Sequence, residues 1–474
     1  MTGRLPEVAV ADHRSIHRGQ ELASPLIALA ESVMKRFQVP GLAIGLSLDG
    51  AERLRGFGVT SIENPLPVDA DTVFVAGSLT KPVVATAAMS LVGDGRLDLD
   101  SPVIRYLPDL KLADAGVAAA VTLRHLLTHT AGWVGDDFDG MDFGPGDDAL
   151  ARAIATFANR PQVLPLGSLW SYNNSAFWLA GRVIEVVTEM ALESAISELV
   201  LHPLAMTSSF FFESDVMTRR VAVGHNVNGR DRLEIARPWS VPRAQRAAGG
   251  LLTTTRDLMR FASLQLHDGG SGREWGSLPA NASLMQVPQV PAEGATFAGL
   301  GWVVRDIAGH RVVSHAGDWN GQQSLITAVP DLNVAVCSLT NSGLGRRAND
   351  EIASWVLERY LGAVDQRPVA VEGDDSNLNA LVGSFAIPGK SIQVERQGRR
   401  LRIRYTLSSG PGAGAQAAFE QEAALTDDGR IIILEGPFEG ITGDFGFGDS
   451  ENAAWIRLGG RVHPRGPAMR TRAS

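Results

Sequence analysis

The chain has 474 residues, of which 45% are hydrophobic and 20% are charged, and its formal net charge is −9 at pH 7. This balance is typical of a soluble globular protein and excludes intrinsic disorder and a membrane-spanning bundle. The acidic charge argues against nucleic acid or an anionic membrane as a partner, and the length allows one large domain or two to three average ones.

The single cysteine, Cys337, excludes an intramolecular disulfide and a cysteine-based metal site. Its apolar neighbours at 334–339 predict a packed thiol in a buried strand. The first forty residues contain no apolar segment of signal-peptide length, and no stretch approaches the roughly 20 apolar residues that span a bilayer. The expected location is therefore the cytoplasm.

The first predicted elements are a helix and a hairpin. Residues 23–37 show helical spacing, with Pro25 near the start, where proline is tolerated. Strands at 42–48 and 54–59 flank Asp49-Gly50, a dipeptide typical of hairpin turns. The middle of the chain is mostly helical.

Strand signals return after residue 300 and precede an amphipathic helix at 349–361. These strands are predicted at 301–305, 312–315, 324–329 and 334–339. Since a helix and a hairpin come first and strands and a helix come last, we expect one sheet assembled from both ends of this segment. The predicted fold class is α+β with an all-helical half.

The composition changes after about residue 365, where polar residues 365–375 are typical of a linker. Segments of alternating hydrophobic and polar residues follow, separated by glycine-rich turns such as 408–414; they lie at 392–395, 401–405, 431–434, 445–447 and 455–458. We therefore predict two domains, residues 1–365 and 366–474. The second is expected to be a small antiparallel β-barrel or sandwich of about 100 residues, with a role in packing or substrate restriction.

The sequence S-L-T-K at 78–81 leads into an apolar helix that ends near Gly93. With Ser78 in the first turn, Lys81 lies one turn further on, so the two side chains share a face. Apolar surroundings should lower the pKa of Lys81 toward that of a usable base, which arginine could not be. An S-x-x-K pattern arises easily by chance, but this chain has just four lysines with which to form one.

Two further segments are weak signals when taken alone. Tyr172, one of four tyrosines, is followed by Asn173 and Asn174 ahead of a helix predicted at 176–189, and a surface loop is the simple alternative. The sequence H-A-G at 315–317 ends a strand, where glycine permits close approach of a backbone or a ligand. The alternative there is a strand-end histidine beside a tight turn.

Together, the motifs S-x-x-K, Y-x-N and H-x-G resemble the serine β-lactamase and penicillin-binding protein family. The H-x-G form is similar to its D-aminopeptidase, esterase and peptide-thioesterase branch. Segments 122–130, 202–206, 247–261 and 299–302 resemble the family too, so the resemblance extends from about residue 23 to 362. It implies a β-lactamase-like fold, an antiparallel sheet flanked by helices plus an all-helical half, followed by a lipocalin-like antiparallel β-barrel.

The resemblance also implies catalytic roles. Ser78 would be the acylated nucleophile, and neutral Lys81 would take its proton. Tyr172 would carry a proton to the leaving group and back, with its pKa lowered by Lys81 and His315. Asn174 would bind the substrate amide and orient Lys81.

The backbone N–H groups of Ser78 and Asp318 would form the oxyanion hole, with Gly317 and Trp319 among the substrate-binding residues. No metal or cofactor is needed for this chemistry. The expected partner is a small-molecule or peptide substrate, and the sequence does not define an oligomeric state.

One departure from the lactamases bears on function. Typical β-lactamases and transpeptidases carry Lys-Thr-Gly where this chain has His315, Ala316 and Gly317. A mostly neutral imidazole would hold a substrate carboxylate less well than lysine, and Ala316 lacks the hydroxyl donor.

The expected function is a serine hydrolase that cleaves an amide or peptide bond, in a small or D-residue-containing peptide. A carboxylesterase is the close alternative, and a penicillin-binding-type thioesterase or peptide cyclase is another. A β-lactamase and an acylated receptor without turnover are disfavoured. An α/β-hydrolase and a zinc peptidase are disfavoured too, because G-x-S-x-G and H-E-x-x-H are absent from the sequence.

Other residues are weaker candidates. His125 and His129 have a spacing that could bind metal, but capping or core hydrogen bonding is favoured because no glutamate lies between them. Asp318 is a candidate specificity residue that would meet a substrate amine. Cleft lining and aromatic core packing are equal alternatives for a last group, which comprises Trp133, loop 136–148, Trp319 and Asn320.

Overall fold

The computed structural model describes residues 22–135, 142–228, 232–266, 282–363, 368–371, 378–407, 417–436 and 438–466. The predicted boundary at 365/366 and the glycine-rich turn 408–414 lie outside the described residues, as does most of the predicted linker. Among the described residues, no helix has the length and apolar character that crossing a membrane requires.

The first part of the chain is built on an antiparallel sheet. The strands in this part of the chain are β1 (Gly41–Leu48), β2 (Ala51–Gly58), β3 (Phe74–Val75), β4 (His225–Val227), β5 (Leu233–Ile235), β6 (Leu252–Thr253), β7 (Val290–Pro291), β8 (Thr296–Ala298), β9 (Val303–Ile307), β10 (His310–Trp319), β11 (Gln322–Val329) and β12 (Val334–Thr340). Eight of them form the main sheet in the order β2-β1-β12-β11-β10-β9-β8-β7. Because β1 pairs with β12, with Leu42 opposite Thr340, the predicted assembly of the sheet from both ends is confirmed.

Helices cover both faces of this sheet and form a helical half beside it. They are α1 (Ser24–Arg36), α2 (Thr80–Gly93), α3 (Ala115–Ala120), α4 (Leu123–Leu127), α5 (Ala149–Ala155), α6 (Asn174–Thr188), α7 (Leu192–Ile196), α8 (Glu213–Val216), α9 (Arg246–Gly249), α10 (Thr255–Leu266), α11 (Ala282–Met285) and α12 (Gly345–Leu361). A short helix α13 (Leu378–Leu381) packs with the second part of the chain instead. Leu26 of α1 and Ile352 of α12 pack together on one face. On the other face, Met259 of α10 packs with Cys337, so the predicted buried thiol is confirmed.

Helix α2 lies at the centre of the helical half. Residues 80–91 are all buried, as expected of a helix that is apolar on every side. Pro82 is tolerated as the third residue because the first N–H groups of a helix have no partner within it. The 3₁₀ turn Gly77–Leu79 leads directly into α2 and carries Ser78.

The second part is a nearly closed antiparallel barrel. Its strands are β13 (Gly383–Ile387), β14 (Lys390–Gln397), β15 (Arg400–Leu407), β16 (Ala417–Leu425), β17 (Ile431–Ile433), β18 (Thr442–Phe447), β19 (Ala453–Leu458) and β20 (Arg461–Pro464). Each strand pairs with the next in the chain, and a bridge between Phe385 and Arg465 brings the first and last together. The sequence therefore predicted the barrel correctly, although it did not predict β13, β16 or β20.

Candidate active site

Ser78 and Lys81 meet at the start of α2. The Nζ atom of Lys81 lies 2.9 Å from the Oγ atom of Ser78 and 2.7 Å from the carbonyl oxygen of Ala248. The side chain of Lys81 is fully buried, whereas Ser78 remains partly exposed. A carbonyl oxygen can only accept, so an N–H group of Lys81 is directed at Ala248. A neutral amine in this position keeps its lone pair for the hydroxyl of Ser78.

Two glycines let β10 approach the turn that carries Ser78. A Cβ atom on Gly77, where φ is +54°, would lie 2.7 Å from the backbone nitrogen of Asp318. A Cβ atom on Gly317 would lie 2.0 Å from the carbonyl oxygen of Ala76. Since no side chain fits at either place, the backbone of Asp318 lies directly against that of the turn.

The free edge of β10 faces this turn. Strand β9 pairs with β10 only as far as Ser314, whereas β11 pairs with it through Trp319. Residues 315–319 therefore extend beyond β9, and backbone groups on this side can meet a bound molecule. This edge of β10 lies beside the turn that carries Ser78, so the backbone N–H groups of Ser78 and Asp318 remain the candidates for binding a developing oxyanion.

The ring of Tyr172 lies beside Lys81. Its centroid is 4.8 Å from Nζ of Lys81 and 6.3 Å from the centroid of the His315 ring. The structure therefore brings together four of the predicted site residues, Ser78, Lys81, Tyr172 and His315. They come from the 3₁₀ turn before α2, from α2 itself, from the loop before α6 and from β10.

His129 is a close neighbour of Tyr172 that the sequence did not assign to the site. The two rings are stacked, with centroids 4.4 Å apart and an interplanar angle of 27°. Nδ1 of His129 accepts a hydrogen bond of 3.0 Å from the backbone N–H of Asn173, which leaves the proton on Nε2. Burial is the main cause that holds the pKa of His129 well below its usual value. His129 is therefore a neutral platform under Tyr172.

His315 is also neutral. Its Nδ1 donates a hydrogen bond of 2.7 Å to the carbonyl oxygen of Ala316, which leaves Nε2 as an acceptor. Burial is the main cause that lowers the pKa of His315, to about 3. The H-x-G position therefore carries no positive charge near pH 7.

The two asparagines after Tyr172 have different surroundings. Asn173 is the N-cap of α6: its Oδ1 accepts from the backbone N–H of Ala176 at 2.9 Å. Its Nδ2 also donates to the carbonyl oxygen of Trp133 at 2.8 Å. Asn173 thus serves the local structure, while Asn174 is the first residue of α6.

The weaker candidates fall mostly into structural roles. His125 forms a capping box with Thr122 at the start of α4, so its capping interpretation is confirmed. Trp133 is buried and donates to Ser175, which confirms core packing for that residue. In the part of the chain that the structure describes, no group of three His, Cys, Asp or Glu side chains could hold a metal ion.

The residues after Gly317 face different surroundings. The side chain of Asp318 reaches solvent, yet the protein around it raises its pKa by desolvation, while a hydrogen bond from Gln323 partly opposes this. Trp319 packs against an apolar cluster and its Nε1 donates to the carbonyl oxygen of Trp239 at 3.4 Å, so its described contacts are those of packing. Asn320 donates to the carbonyl oxygen of Pro238 at 2.6 Å. Residues 136–141 of the candidate cleft loop lie outside the described residues.

The sequence missed contacts that depend on distant parts of the chain. The carbonyl of Ala248 belongs to the segment 247–261, which carried the family resemblance but no assigned role. The turn at 459–461 between β19 and β20 reaches Tyr172, although its sequence shows only a turn signal.

The fold and the site define a serine hydrolase of the kind in which serine and lysine lie on one helical turn. The family model described as Beta-lactamase matches residues 26–358, well over half of the chain. The chain therefore belongs to the β-lactamase family, whose members are serine hydrolases.

Similar proteins in this family have several activities. Over 321 residues the chain is 33% identical to penicillin-binding protein 4 of Amycolatopsis lactamdurans, which covers 66% of this chain and 84% of that protein. Over 238 residues it is 33% identical to esterase EstB of Burkholderia gladioli, which covers 46% of this chain and 59% of the esterase.

Solved structures extend the similarity to the barrel. The crystal structure of SurE aligns with a TM-score of 0.74 at 26% identity, covering 93% of this chain and 98% of SurE. A class C β-lactamase from Rhodobacter sphaeroides aligns with a TM-score of 0.59 at 23% identity and covers 71% of this chain. The lactamase likeness shows the fold alone.

Proposed function

We propose that this serine hydrolase cleaves an amide or peptide bond through an acyl-enzyme on Ser78. The observation that carries the proposal is the 2.9 Å contact between Oγ of Ser78 and Nζ of the fully buried Lys81. Burial disfavours the ammonium form of a lysine, and a neutral amine can remove the proton of a serine.

Acylation follows from the positions of three groups. Nζ of Lys81 takes the proton of Ser78 as Oγ bonds to the carbonyl carbon, and the oxygen becomes an oxyanion between the N–H groups of residues 78 and 318. The tetrahedral intermediate then expels the amine, which receives a proton from Tyr172, and Lys81 passes the proton it took from Ser78 to the resulting phenolate. Each oxyanion-hole donor is worth about 10²–10³ in rate.

Deacylation reverses this order with water as the nucleophile. The Lys81–Tyr172 pair takes a proton from water as its oxygen attacks the ester carbonyl, and the proton then passes to Oγ of Ser78. The products are a carboxylic acid and a free enzyme. Asn174, at the start of α6, is assigned to the substrate amide, and neutral His315 offers Nε2 as an acceptor beside Tyr172.

The substrate class is proposed from the H-x-G position. Because His315 is neutral, it offers no positive charge to the carboxylate of a β-lactam, which supports a peptide or amide substrate. One structure of SurE is described as containing D-Leu, and this similarity supports a peptide with a D-residue. The match to esterase EstB supports a carboxylesterase as the second candidate, because an acyl-enzyme accepts either leaving group.

A fluorophosphonate probe tests the nucleophile. We expect it to label the wild-type protein but not Ser78→Ala, whereas Ser90→Ala, a buried serine on the same helix, should be labelled like wild type. Equal labelling of Ser78→Ala and wild type would overturn the assignment.

Mass spectrometry during turnover then ranks the reactions. The substrates are a D-Ala p-nitroanilide, a short acyl ester and nitrocefin. We expect a transient Ser78 adduct and product release from the anilide. Release from the ester alone would favour an esterase, and an adduct without release would favour a receptor.

A further inference from the structure

The turn between β19 and β20 of the barrel lies against the segment that ends in Tyr172. The β19–β20 hairpin forms hydrogen bonds with three consecutive residues of that segment. The N–H group of Tyr172 donates to the carbonyl oxygen of Gly460 at 2.8 Å, and the N–H group of Val462 donates to Oγ of Ser171 at 3.1 Å. Nη1 of Arg457 donates to the carbonyl oxygen of Trp170 at 3.1 Å. The barrel is therefore joined to the backbone of the predicted catalytic tyrosine itself.

The hairpin is held firmly from its own side. Arg457 is 5% exposed and forms a two-point ion pair with Asp444 of β18, with Nε 2.8 Å from Oδ1. Its guanidinium also lies 5.5 Å from the ring centroid of Trp170. A buried arginine paired at two points fixes geometry, because breaking the pair would leave its charge buried without a partner.

Gly460 comes so close to the tyrosine segment that a side chain there would crowd the ring of Trp170. Its φ is +79°, and a Cβ atom there would lie 3.0 Å from Cη2 of Trp170 and 3.6 Å from Cβ of Tyr172. Gly429 offers a contrast in the same barrel: its φ is +80°, but a Cβ atom there would have no neighbour within 4 Å.

Arg461 brings a permanent positive charge to the ring of Tyr172. Its Cζ atom is 4.7 Å from the ring centroid, and its Nη1 donates to the carbonyl oxygen of Gly459 at 2.8 Å. The described groups that also face this ring are Lys81 from α2, His129 from the turn after α4 and His315 from β10. Since both histidines are neutral and Lys81 acts as a neutral amine, Arg461 is the permanent cation among these groups.

We infer that the barrel turn, residues 459–461, is a positioning element of the active site. Gly460 fixes the backbone of Tyr172, and Arg461 holds the ring and favours loss of the proton that Tyr172 and Lys81 exchange. This inference rests on the proposed role of Tyr172. It gives the C-terminal barrel a part in the chemistry, beyond packing or substrate restriction.

The first test uses full-length Gly460→Ala with Gly429→Ala as the matched control. Both variants strain a backbone with the same φ, so we expect similar losses of thermal stability. Only Gly460→Ala places a Cβ atom 3.0 Å from the ring of Trp170, so the turn and the Tyr172 backbone bonded to it should shift relative to each other. Its rate of Ser78 labelling should therefore fall by up to about 10²-fold, the cost of misplacing a catalytic group by about 1 Å.

The second test measures the pH dependence of Ser78 labelling in Arg461→Met and Arg461→Lys. Loss of a cation favours the protonated forms of a phenol and an amine. The acidic limb of the plot of labelling rate against pH should therefore move to higher pH by about one unit in Arg461→Met. Arg461→Lys should restore the limb. Arg404→Met, which breaks an exposed ion pair with Glu420 on the same barrel, should leave it unchanged.

The outcomes separate this inference from the proposed function. If wild type is labelled on Ser78 while Gly460→Ala behaves like Gly429→Ala and Arg461→Met keeps the wild-type limb, the inference is wrong and the nucleophile stands. If Ser78 of the wild type is not labelled, the proposed function itself fails. The Arg461 variants keep the test decisive should Gly460→Ala not fold.

Discussion

The Nζ atom of Lys81 donates a hydrogen bond of 2.7 Å to the carbonyl oxygen of Ala248, a residue 167 positions further along the chain. This contact occupies an N–H group of the amine and turns the remaining side of Nζ toward Ser78. The carbonyl therefore orients the base as well as satisfying a fully buried polar group.

Lys81→Met tests the amine without changing the size of the side chain much. We expect the fold to persist with a loss of about 1–3 kcal/mol, because the carbonyl of Ala248 loses its donor. Ser78 labelling and hydrolysis should both disappear. We also expect Lys81→Arg to be folded and inactive, since a guanidinium keeps its proton. Circular dichroism and probe labelling measure the two effects, and retained activity in either variant would mean that Lys81 is not the base.

Local patterns were enough to predict the Ser78–Lys81 pair and most of the sheet. Helical spacing places residues i and i+3 on one face, and the alternation of strand residues locates β1 and β12, which then pair. Strand β10 continues to Trp319, beyond the predicted end at residue 315. The prediction stopped short because Gly317 and the polar Asp318 weaken the strand signal in the sequence. The order of the motifs also predicted the family correctly.

The contacts that complete the site could not be predicted in this way. Ala248, His129 and Gly460 approach Lys81 or Tyr172 through tertiary packing, and none has a spacing from its partner that secondary structure defines. The two asparagines after Tyr172 illustrate the same limit. Because both residues are asparagine, the sequence alone does not show which of them caps α6. The helix begins at Asn174, and this identifies Asn173 as the N-cap.

Gly317→Ala should separate β10 from the turn that carries Ser78. The new Cβ atom would lie 2.0 Å from the carbonyl oxygen of Ala76, so the strand must shift and carry the N–H group of Asp318 with it. We expect a loss of about 10²–10³ in kcat, the cost of one oxyanion-hole donor. Gly309→Ala, in the turn before β10, has no neighbour within 4 Å of the new atom and serves as the control for activity. Equal kcat values in the two variants would contradict the assignment of the oxyanion hole.

His129→Ala and His129→Asn separate stacking from hydrogen bonding beneath Tyr172. Alanine leaves the N–H group of Asn173 without its acceptor, which should lower stability by about 1–3 kcal/mol. Asparagine supplies an acceptor oxygen and tolerates the φ of +58° at this position. We therefore expect His129→Asn to recover much of the stability but not the labelling rate, since the ring under Tyr172 is missing. Chemical denaturation and labelling kinetics measure these effects, and full activity in His129→Ala would contradict the platform role.

His315 should make the protein less stable as the pH falls below neutral. Its pKa is about 3 in the folded protein and about 6.5 when unfolded, so between these values the unfolded state binds a proton that the folded state does not. Its contribution to stability is complete above about pH 6.5 and is lost toward pH 3, at about 1.4 kcal/mol per pH unit. His315→Gln removes this titrating group. Between pH 7 and pH 4.5 the free energy of unfolding of the variant should therefore fall less steeply than that of the wild type, and below about pH 6.5 the slopes should differ by about 1.4 kcal/mol per pH unit. Parallel curves for the variant and wild type would show that His315 titrates normally, and the argument that a neutral H-x-G position disfavours β-lactams would then lose its support.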